Sequence, residues 1–299
     1  MGWLDLHLHS NCSDDGQYTP GELMTICSQS GVKTAAVTDH NSTRGVAEAR
    51  KAAASLGISL IPGVELDCLY QGVGLHVLGY WIDEGYPQFL QIEKSIIAQE
   101  QKAAAERIEK VRALGIHVDS EAAFALATNG VVTGEIIAEV VLQQDENADN
   151  PLLAAYRADG NRSDNPYVNF YWDFCSQGKP AFVPINFLSL EEIIEVIRSA
   201  GGIAVLAHPG NNVKEDATLL QNIEKQGIAG LEVFSSYHTP AQTAFYREAA
   251  EDLGLAMSCG SDFHGKTKPA IAVGSVDCDG AESAMLAALQ ERCDGFFQR

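Results

Sequence analysis

The amino-acid sequence predicts an α/β fold in which strands and helices alternate and form a β/α barrel. Three observations support this prediction: short apolar runs, helix-start signals between them, and polar residues where the runs end. The chain has 299 residues, of which 46% are apolar, and this is enough to bury the core of one barrel with a smaller second unit.

Seven apolar runs have the length and composition of buried parallel strands, because each is short and rich in Val, Ile, Leu or Ala. The seven predicted strands are Leu4–Leu8, Thr34–Thr38, Ile58–Leu66, Gly74–Ile82, Ile203–Ala207, Gly230–Phe234 and Leu255–Cys259. Helical patterns follow most of them, and this alternation favours a parallel sheet with helices on the outside.

Three of the predicted helices carry start signals. Thr19 and Thr239 each precede a proline, so a hydroxyl caps the helix and proline occupies its first turn. Ser189 stands three residues before Glu192, which is the spacing of a capping box.

The middle of the chain interrupts this alternation, since no convincing barrel strand occurs between Asp83 and Lys179. Instead, Pro87–Leu114 and Glu135–Gln143 have helical patterns separated by polar stretches. We therefore expect residues 1–83 and 184–299 to form the barrel. Residues 84–183 are expected to form a mainly helical insertion that covers the active-site mouth.

Composition limits the possible partners and compartment. A formal net charge of −20 repels nucleic-acid phosphates, so binding of duplex nucleic acid is not expected. The sequence contains no apolar stretch long enough for a membrane span and no secretory signal at its start. Its seven cysteines are odd in number and form no CxxC pair, which favours reduced thiols and a cytoplasmic location.

Histidine and acidic residues occur at or just after the ends of nearly all predicted strands. Seven of the eight histidines lie in these segments, and only His117 lies elsewhere. The C-terminal ends of barrel strands converge on one mouth, where active sites are found. Each residue taken alone has an ordinary structural explanation, as a turn, a cap or a core histidine. Their joint placement favours a functional site over many independent coincidences.

The residue types indicate a metal centre. His7 and His9 are two apart on an extended segment, so their side chains share one face and can chelate one ion. Glu65 and Asp262 would complete a mixed nitrogen and oxygen site that suits Zn, Mn or Fe. Carboxylates can bridge two ions, and such a cluster lowers the pKa of bound water to about 7 and binds phosphoryl oxygens.

Together these segments resemble the PHP (polymerase and histidinol phosphatase) family of metal-dependent phosphoesterases, in its stand-alone, nucleotide phosphatase-like branch. The matching motifs are His7-Leu8-His9-Ser10 with Ser13-Asp14, Thr38-Asp39-His40, Gly63-Val64-Glu65, His76, Ala207-His208-Pro209-Gly210, Gly230-Leu231-Glu232-Val233 with His238, and Gly260-Ser261-Asp262-Phe263-His264.

The resemblance implies a distorted (β/α)7 barrel with a trinuclear metal centre and a bridging hydroxide as nucleophile. The implied metal ligands are His7, His9, Asp14, His40, Glu65, His76, His208, Asp262 and His264. Either Asp14 or Asp15 could be the aspartate ligand, and Asp14 is chosen because it directly follows Ser13. Asp39 is implied to orient a ligating imidazole, and His238 to contact phosphate or donate a proton alongside catalytic Asp262.

One stretch departs from the family pattern. Bisphosphate phosphatases of the family carry an Arg-Thr-His-like stretch in the insertion that holds a second phosphate, whereas Val131–Glu135 has no basic residue. Arg44, Arg157 and Lys179 are candidate replacements as substrate contacts, as is Arg162.

The resemblance implies hydrolysis of a small phosphate ester, a nucleotide such as a nucleoside monophosphate or a 3′,5′-bisphosphate, with three Mn, Zn or Fe ions per chain. Two alternatives are a cyclic sugar phosphate phosphodiesterase and a 5′→3′ exoribonuclease acting on short RNA, and the net charge of −20 argues against the latter. A non-catalytic metal-stabilised module is a third alternative, against which the full ligand set argues. The sequence does not indicate the oligomeric state.

Overall fold

The computed structural model describes residues 2–297 and shows an α/β barrel with a single central sheet. Its strands run in the order β1-β2-β3-β4-β6-β7-β8, and β5 pairs with β3 outside this path. They are β1 Leu4–Leu8, β2 Thr34–Val37, β3 Ser59–Tyr70, β4 Val73–Tyr80, β5 Leu188–Ser189, β6 Ile203–Leu206, β7 Gly230–Ser235 and β8 Ala256–Gly260. All seven predicted strands are present, which confirms the predicted distorted (β/α)7 barrel.

The first and last strands meet at their C-terminal ends and nearly close the sheet. The His9 N–H donates to the Phe263 carbonyl at 3.0 Å, and the Asp262 N–H donates to the His7 carbonyl at 2.8 Å. A parallel bridge also joins Leu8 to Phe263. Residues from the two ends of the chain therefore lie side by side at the mouth of the barrel.

Strand β4 corrects one prediction, because it runs antiparallel to both of its neighbours. A two-residue turn, Gln71 and Gly72, connects it to β3. Both residues have positive φ, 51° and 81°, as in the type I′ turns that favour glycine and join tight hairpins. A connection this short cannot join parallel strands, so Gly74–Ile82 was wrongly predicted to be parallel.

Eleven helices surround the sheet in the part of the chain that the structure describes. They are α1 Pro20–Gln29, α2 Val46–Leu56, α3 Pro87–Ala113, α4 Ser120–Leu126, α5 Gly134–Gln143, α6 Pro166–Phe170, α7 Leu190–Ser199, α8 Pro209–Asn212, α9 Ala217–Glu224, α10 Pro240–Asp252 and α11 Glu282–Phe297. The three predicted helix starts are confirmed, since Thr19, Ser189 and Thr239 all form complete capping boxes.

Helices α3 to α6 pack around a second apolar cluster that includes Ile108, Ile137 and Phe170. Helix α3 links the two cores, because Phe89 and Ile92 in its first two turns pack in the barrel core. A π-helical turn, Tyr171–Cys175, follows α6. The division into residues 84–183 and the rest of the chain stays a prediction. Within the described residues, no helix combines the length and apolar character that a membrane crossing requires.

Candidate metal centre

The strand ends bring histidine and carboxylate side chains into overlapping groups at the mouth. Within each group, the potential ligand atoms lie within 4.8 Å of one another. Among the described residues the groups are His7, His9, Glu65 and Asp262; Glu65, His76 and His208; His9, Asp15, His40 and His264; and His40, Asp67 and His76. The sequence-predicted histidines thus come together, although their positions span most of the chain.

Glu65 lies at the centre of this arrangement, at 0% exposure. Its Oε2 is 3.0 Å from His7 Nε2 and 3.1 Å from His9 Nε2. Its Oε1 is 3.0 Å from His76 Nδ1 and 3.1 Å from His208 Nε2. His40 Nδ1 also lies 3.3 Å from Oε2. The two oxygens therefore face different sets of imidazoles, which is the geometry of a carboxylate able to bridge two ions.

Asp262 directs one oxygen towards the same centre. Its Oδ1 is 3.1 Å from His9 Nε2 and 3.3 Å from His7 Nε2. The residue has a φ of 57°, a left-handed conformation that few residues other than glycine, asparagine and aspartate adopt. His208 also has a positive φ, 22°. Strained backbone of this kind, costing about 1–3 kcal/mol at each position, is concentrated at functional sites.

Gly260, at the end of β8, is required for this packing. A Cβ at this position would lie 2.1 Å from the His7 Cβ and 2.7 Å from Glu232 Oε1. Any larger residue would therefore displace His7 from the mouth.

The third group contains Asp15 rather than Asp14. Asp15 Oδ2 lies 3.1 Å from His264 Nε2, and the His264 ring stacks on that of His9 at 3.9 Å. Asp14 belongs to none of the groups and lines a neighbouring cavity of about 360 Å³. Burial, followed by the charge of Asp15, raises the pKa of Asp14 to about 7. The structure therefore favours Asp15 over Asp14 as the candidate ligand, since adjacency to Ser13 does not determine which of two successive aspartates faces the histidines.

The donor set fits divalent metal ions. Buried side-chain atoms of seven of these residues have no hydrogen-bond partner; they are His9 Nε2, Asp15 Oδ1, His40 Nδ1, Asp67 Oδ1, His208 Nδ1, Asp262 Oδ1 and His264 Nε2. Buried polar atoms are rarely left unsatisfied, and so many converging on one place indicate a missing common partner. Imidazole nitrogens and carboxylate oxygens are the usual ligands of Zn, Mn and Fe.

Glu232 holds two of the candidate ligands from behind. Its Oε1 is 2.9 Å from His7 Nδ1, so His7 keeps Nε2 directed towards the mouth. Its Oε2 accepts a 2.8 Å hydrogen bond from the His208 N–H. Glu232 is part of the Gly230-Leu231-Glu232-Val233 motif, but no role for it was predicted from the sequence. A carboxylate inside an apolar strand was the available signal.

Replacing Glu232 with glutamine is expected to weaken metal binding about 10- to 100-fold, because the amide cannot fix the His7 ring as a carboxylate does. Metal affinity of the purified variant, measured by competition with a chelating dye, tests this. Glu121→Gln, on the exposed face of α4, is the matched control. Equal affinities for the two variants would contradict the role of Glu232.

Asp39 supports His9 through an intermediate hydroxyl. Asp39 Oδ1 accepts a hydrogen bond from the Ser13 hydroxyl at 3.1 Å, and Ser13 Oγ lies 3.0 Å from His9 Nδ1. Asp39 also accepts hydrogen bonds from the backbone and hydroxyl of Ser10. Asp39 therefore does not contact the His9 ring directly but acts on it through Ser13.

Asp67 was not identified from the sequence. It lies two residues after Glu65 on β3, so the two side chains are on the same face of the strand. Its Oδ1 lies 3.2 Å from His76 Nε2 and 3.8 Å from His40 Nδ1. The Asn41 amide donates to Asp67 Oδ2 at 2.7 Å and fixes the carboxylate.

Lys268 was also missed, because it lies four residues beyond the last motif. It is only 5% exposed, and its Nζ donates to Asp262 Oδ2 at 2.7 Å.

The residues predicted to bind substrate are dispersed. Arg44 is paired with Glu93 at 2.6 Å, and its Nη2 also donates to the Cys12 carbonyl. Arg157 donates to the carbonyls of Leu142 and Asn147, and Lys179 is exposed. The structure brings neither Arg157 nor Lys179 into the ligand groups. Their contact with substrate stays a prediction.

His238 lines a larger cavity of about 1230 Å³ next to the mouth. Its Nδ1 lies 2.9 Å from the Val233 carbonyl, and its Nε2 accepts a hydrogen bond from the Gly210 N–H at 3.1 Å. Burial lowers its pKa. Both ring nitrogens are therefore used by the backbone in the neutral form, an arrangement that does not favour the predicted proton donation.

The histidines couple metal binding to pH. Burial alone would lower the pKa of His76, but Asp67 and Glu65 raise it from 6.5 to about 9 in the metal-free protein. The protonated ring then stabilises the metal-free fold below about pH 6.5, and this contribution is lost as the pH rises through about 9.

A metal ion must displace that proton. We expect metal binding to release protons at neutral pH and to tighten as the pH rises between 6.5 and about 9. Calorimetric titration in buffers of different ionisation enthalpy measures the release, and His76→Gln should release fewer protons. Binding that releases no proton at pH 7 would contradict this coupling.

A barrel whose strand ends gather imidazoles and carboxylates around one centre defines the class of metal-dependent hydrolases. A family model described as "PHP domain" matches residues 5–150. The chain is 32% identical to a 5′-3′ exoribonuclease of Haemophilus influenzae, covering 87% of this chain and 89% of the relative. It is 31% identical to a 3′,5′-nucleoside bisphosphate phosphatase of Chromobacterium violaceum, covering 88% of each.

Two further matches agree. A phosphoribosyl 1,2-cyclic phosphate 1,2-diphosphodiesterase of Eggerthella lenta is 29% identical, covering 88% of this chain and 94% of the relative. A solved structure from Chromobacterium violaceum, described as an amidohydrolase with bound sulfate and no metal, superimposes with a TM-score of 0.78 at 28% identity, covering 97% and 96% of the two chains. The chain belongs to the PHP family of phosphoesterases, and it is a hydrolase acting on phosphoric ester bonds.

Proposed function

We propose that the chain hydrolyses a small phosphate ester at a centre that binds three divalent ions. The favoured substrate is a nucleotide with a single phosphate group. The observation that carries this proposal is the set of overlapping ligand groups that share Glu65 and His9 at the mouth. A carboxylate that belongs to two groups, as Glu65 does, can bridge neighbouring ions and hold them close together.

The ligands divide among the three positions. The first takes His7, His9, Glu65 and Asp262, and the second shares Glu65 and adds His76 and His208. The ligands assigned to the third are Asp15, His40 and His264. Ions of Mn, Zn or Fe held there supply Lewis-acid chemistry, because they stabilise charge on phosphoryl oxygens and make water more acidic.

The position of Glu135 is evidence for a substrate that has no second phosphate on the side of residues 84–183. It is the acidic residue of the stretch where bisphosphate phosphatases of the family carry basic residues. Its side chain is 9% exposed and lines the cavity of about 360 Å³ together with Asp14 and Asp15. Burial, then the charge of Asp15, raises its pKa to about 7. Carboxyl groups here disfavour a second phosphate, so a nucleoside monophosphate fits better than a 3′,5′-bisphosphate.

A cyclic sugar phosphate is the second candidate substrate. The same lack of a cationic clamp suits a compact ester with one phosphodiester group. The similarity to the Eggerthella lenta diphosphodiesterase supports it as well. Short RNA is disfavoured by the net charge of −20.

A substrate panel tests the proposal on protein whose metal content has been measured as purified. The panel contains nucleoside monophosphates, 3′,5′-bisphosphates, a phosphoribosyl cyclic phosphate and a short labelled oligoribonucleotide. The largest kcat/KM is expected for a nucleoside monophosphate. The cyclic ester as the best substrate would favour the second candidate, and degradation of the oligonucleotide at comparable efficiency would contradict the proposal.

A further inference from the structure

Among the described residues, Lys268 is the only buried lysine. It is not one of the candidate metal ligands, so its burial needs another explanation. Its Nζ donates to Asp262 Oδ2 at 2.7 Å and lies 5.3 Å from the centre of the Tyr237 ring. Lysine is almost never buried without a functional or structural partner. The question is what the ammonium does beside a metal ligand.

Holding Asp262 in place does not explain the choice of a cation. A neutral donor could orient Asp262 Oδ2 equally well, as the Asn41 amide does for Asp67. A positive charge next to a ligand carboxylate repels the ions that the carboxylate helps to bind, and it competes for the same negative charge. An ammonium at this position therefore weakens metal binding unless a further anion is present.

The ammonium also has donors beyond the one that Asp262 accepts. A lysine ammonium has three N–H donors, and among the described residues one of them is used, by Asp262. The preceding residue, Thr267, lines the cavity of about 360 Å³ beside the ligand groups, so Lys268 stands at the border of that cavity.

We propose that Lys268 contacts a phosphoryl oxygen of the substrate at the metal centre. Its ammonium bridges Asp262 and the bound phosphoryl group, so that the substrate supplies the anion that the arrangement lacks. Lysine side chains are common phosphate-binding groups, acting as point charges beside divalent ions. The proposal rests on the proposed phosphoesterase function and identifies one more group in the same site.

The test compares Lys268→Met with Lys266→Met. Lys266 is in the same loop, but it is exposed and paired with Glu139 at 2.7 Å. Lys268→Arg is the second variant, since it keeps the charge. Each protein is loaded with Mn, and three quantities are measured: ions bound per chain, the dissociation constant for inorganic phosphate, and kcat/KM for the best substrate of the panel.

We expect Lys268→Met to bind as many ions as the unaltered protein and to bind inorganic phosphate at least about tenfold more weakly. Its kcat/KM should fall about 100- to 1,000-fold, as for removal of one donor from a charged transition state. Lys268→Arg should recover part of the phosphate affinity, and Lys266→Met should match the unaltered protein in all three measurements.

Two results would overturn the inference. If Lys268→Met loses bound ions in parallel with phosphate affinity, Lys268 serves only to position Asp262. If its phosphate affinity and kcat/KM equal those of Lys266→Met, Lys268 does not touch the substrate. Failure of the phosphoesterase function itself is distinguishable, because the unaltered, metal-loaded protein would then hydrolyse no ester in the panel.

Discussion

Replacing Asp262 with alanine is expected to lower kcat/KM at least about a thousandfold and to reduce the number of bound ions. Asp262 Oδ1 faces both His7 and His9, so its removal takes away an anionic ligand where two imidazoles converge. The bound ions stabilise the transition state by several kcal/mol, and each 1.4 kcal/mol of this stabilisation that is lost lowers kcat/KM about tenfold. His9→Ala should have an effect of the same order, because His9 belongs to two ligand groups.

The measurement is ion content per chain together with steady-state kinetics. Asp262→Asn separates ligation from folding, since it keeps the shape of the side chain beside Lys268, whereas alanine leaves that buried ammonium unpaired. Asp279→Ala, an exposed aspartate paired with Arg247, is the control. Near-full activity and metal content in either Asp262 variant would invalidate the proposed ligand set.

Removal of the metal is expected to abolish activity and to lower the melting temperature by several degrees for each ion lost. Each ion that binds only the folded chain, present at 100 to 1,000 times its dissociation constant, contributes about 2.7–4.1 kcal/mol to folding. A change of 1 kcal/mol shifts the melting temperature of a protein of this size by about 2 °C. The buried oxygens and nitrogens left without partners at the mouth add to the loss.

Thermal unfolding and phosphate release before and after chelation test this expectation. Re-addition of Mn, Zn or Fe should restore both, and the ion that restores the highest kcat/KM identifies the best-suited metal. Protein shown by elemental analysis to be metal-free, yet still fully active, would rule out a metal-dependent reaction.

The places of the candidate ligands could be predicted because they depend on chain pattern. His7 lies near the end of one apolar run, His40 and His208 follow two others, and the ends of parallel barrel strands must meet at one mouth. The supporting residues could not be predicted in the same way. Glu232 is a single carboxylate within an apolar strand, and the pattern of that strand does not show which side chains it contacts. Lys268 lies in a loop, where no periodic pattern places it. Only the packing of β1, β7 and β8 shows that they contact ligands.

Strand direction was predictable only in part. Apolar composition identifies a buried strand, and it identified Gly74–Ile82 correctly, but it does not encode direction. The direction of β4 follows from the length of β3, which continues to Tyr70 and leaves a two-residue turn. Strand β5 has two residues and offers no detectable pattern. Which of Asp14 and Asp15 faces His264 depends on a loop conformation that neighbouring residues in the sequence do not determine.

The contact between the ends of β1 and β8 determines when the candidate metal centre can form during biosynthesis. A ribosome releases His7, His9, His40, Glu65 and His76 early, and it adds Asp262 and His264 about two hundred residues later. Until β8 and the segment after it have emerged and bonded to the end of β1, the nascent polypeptide lacks Asp262 and His264 of the candidate ligand set. Binding of the full set of ions that we propose would therefore follow the end of translation, and we expect a protein truncated before Ala256 to be inactive.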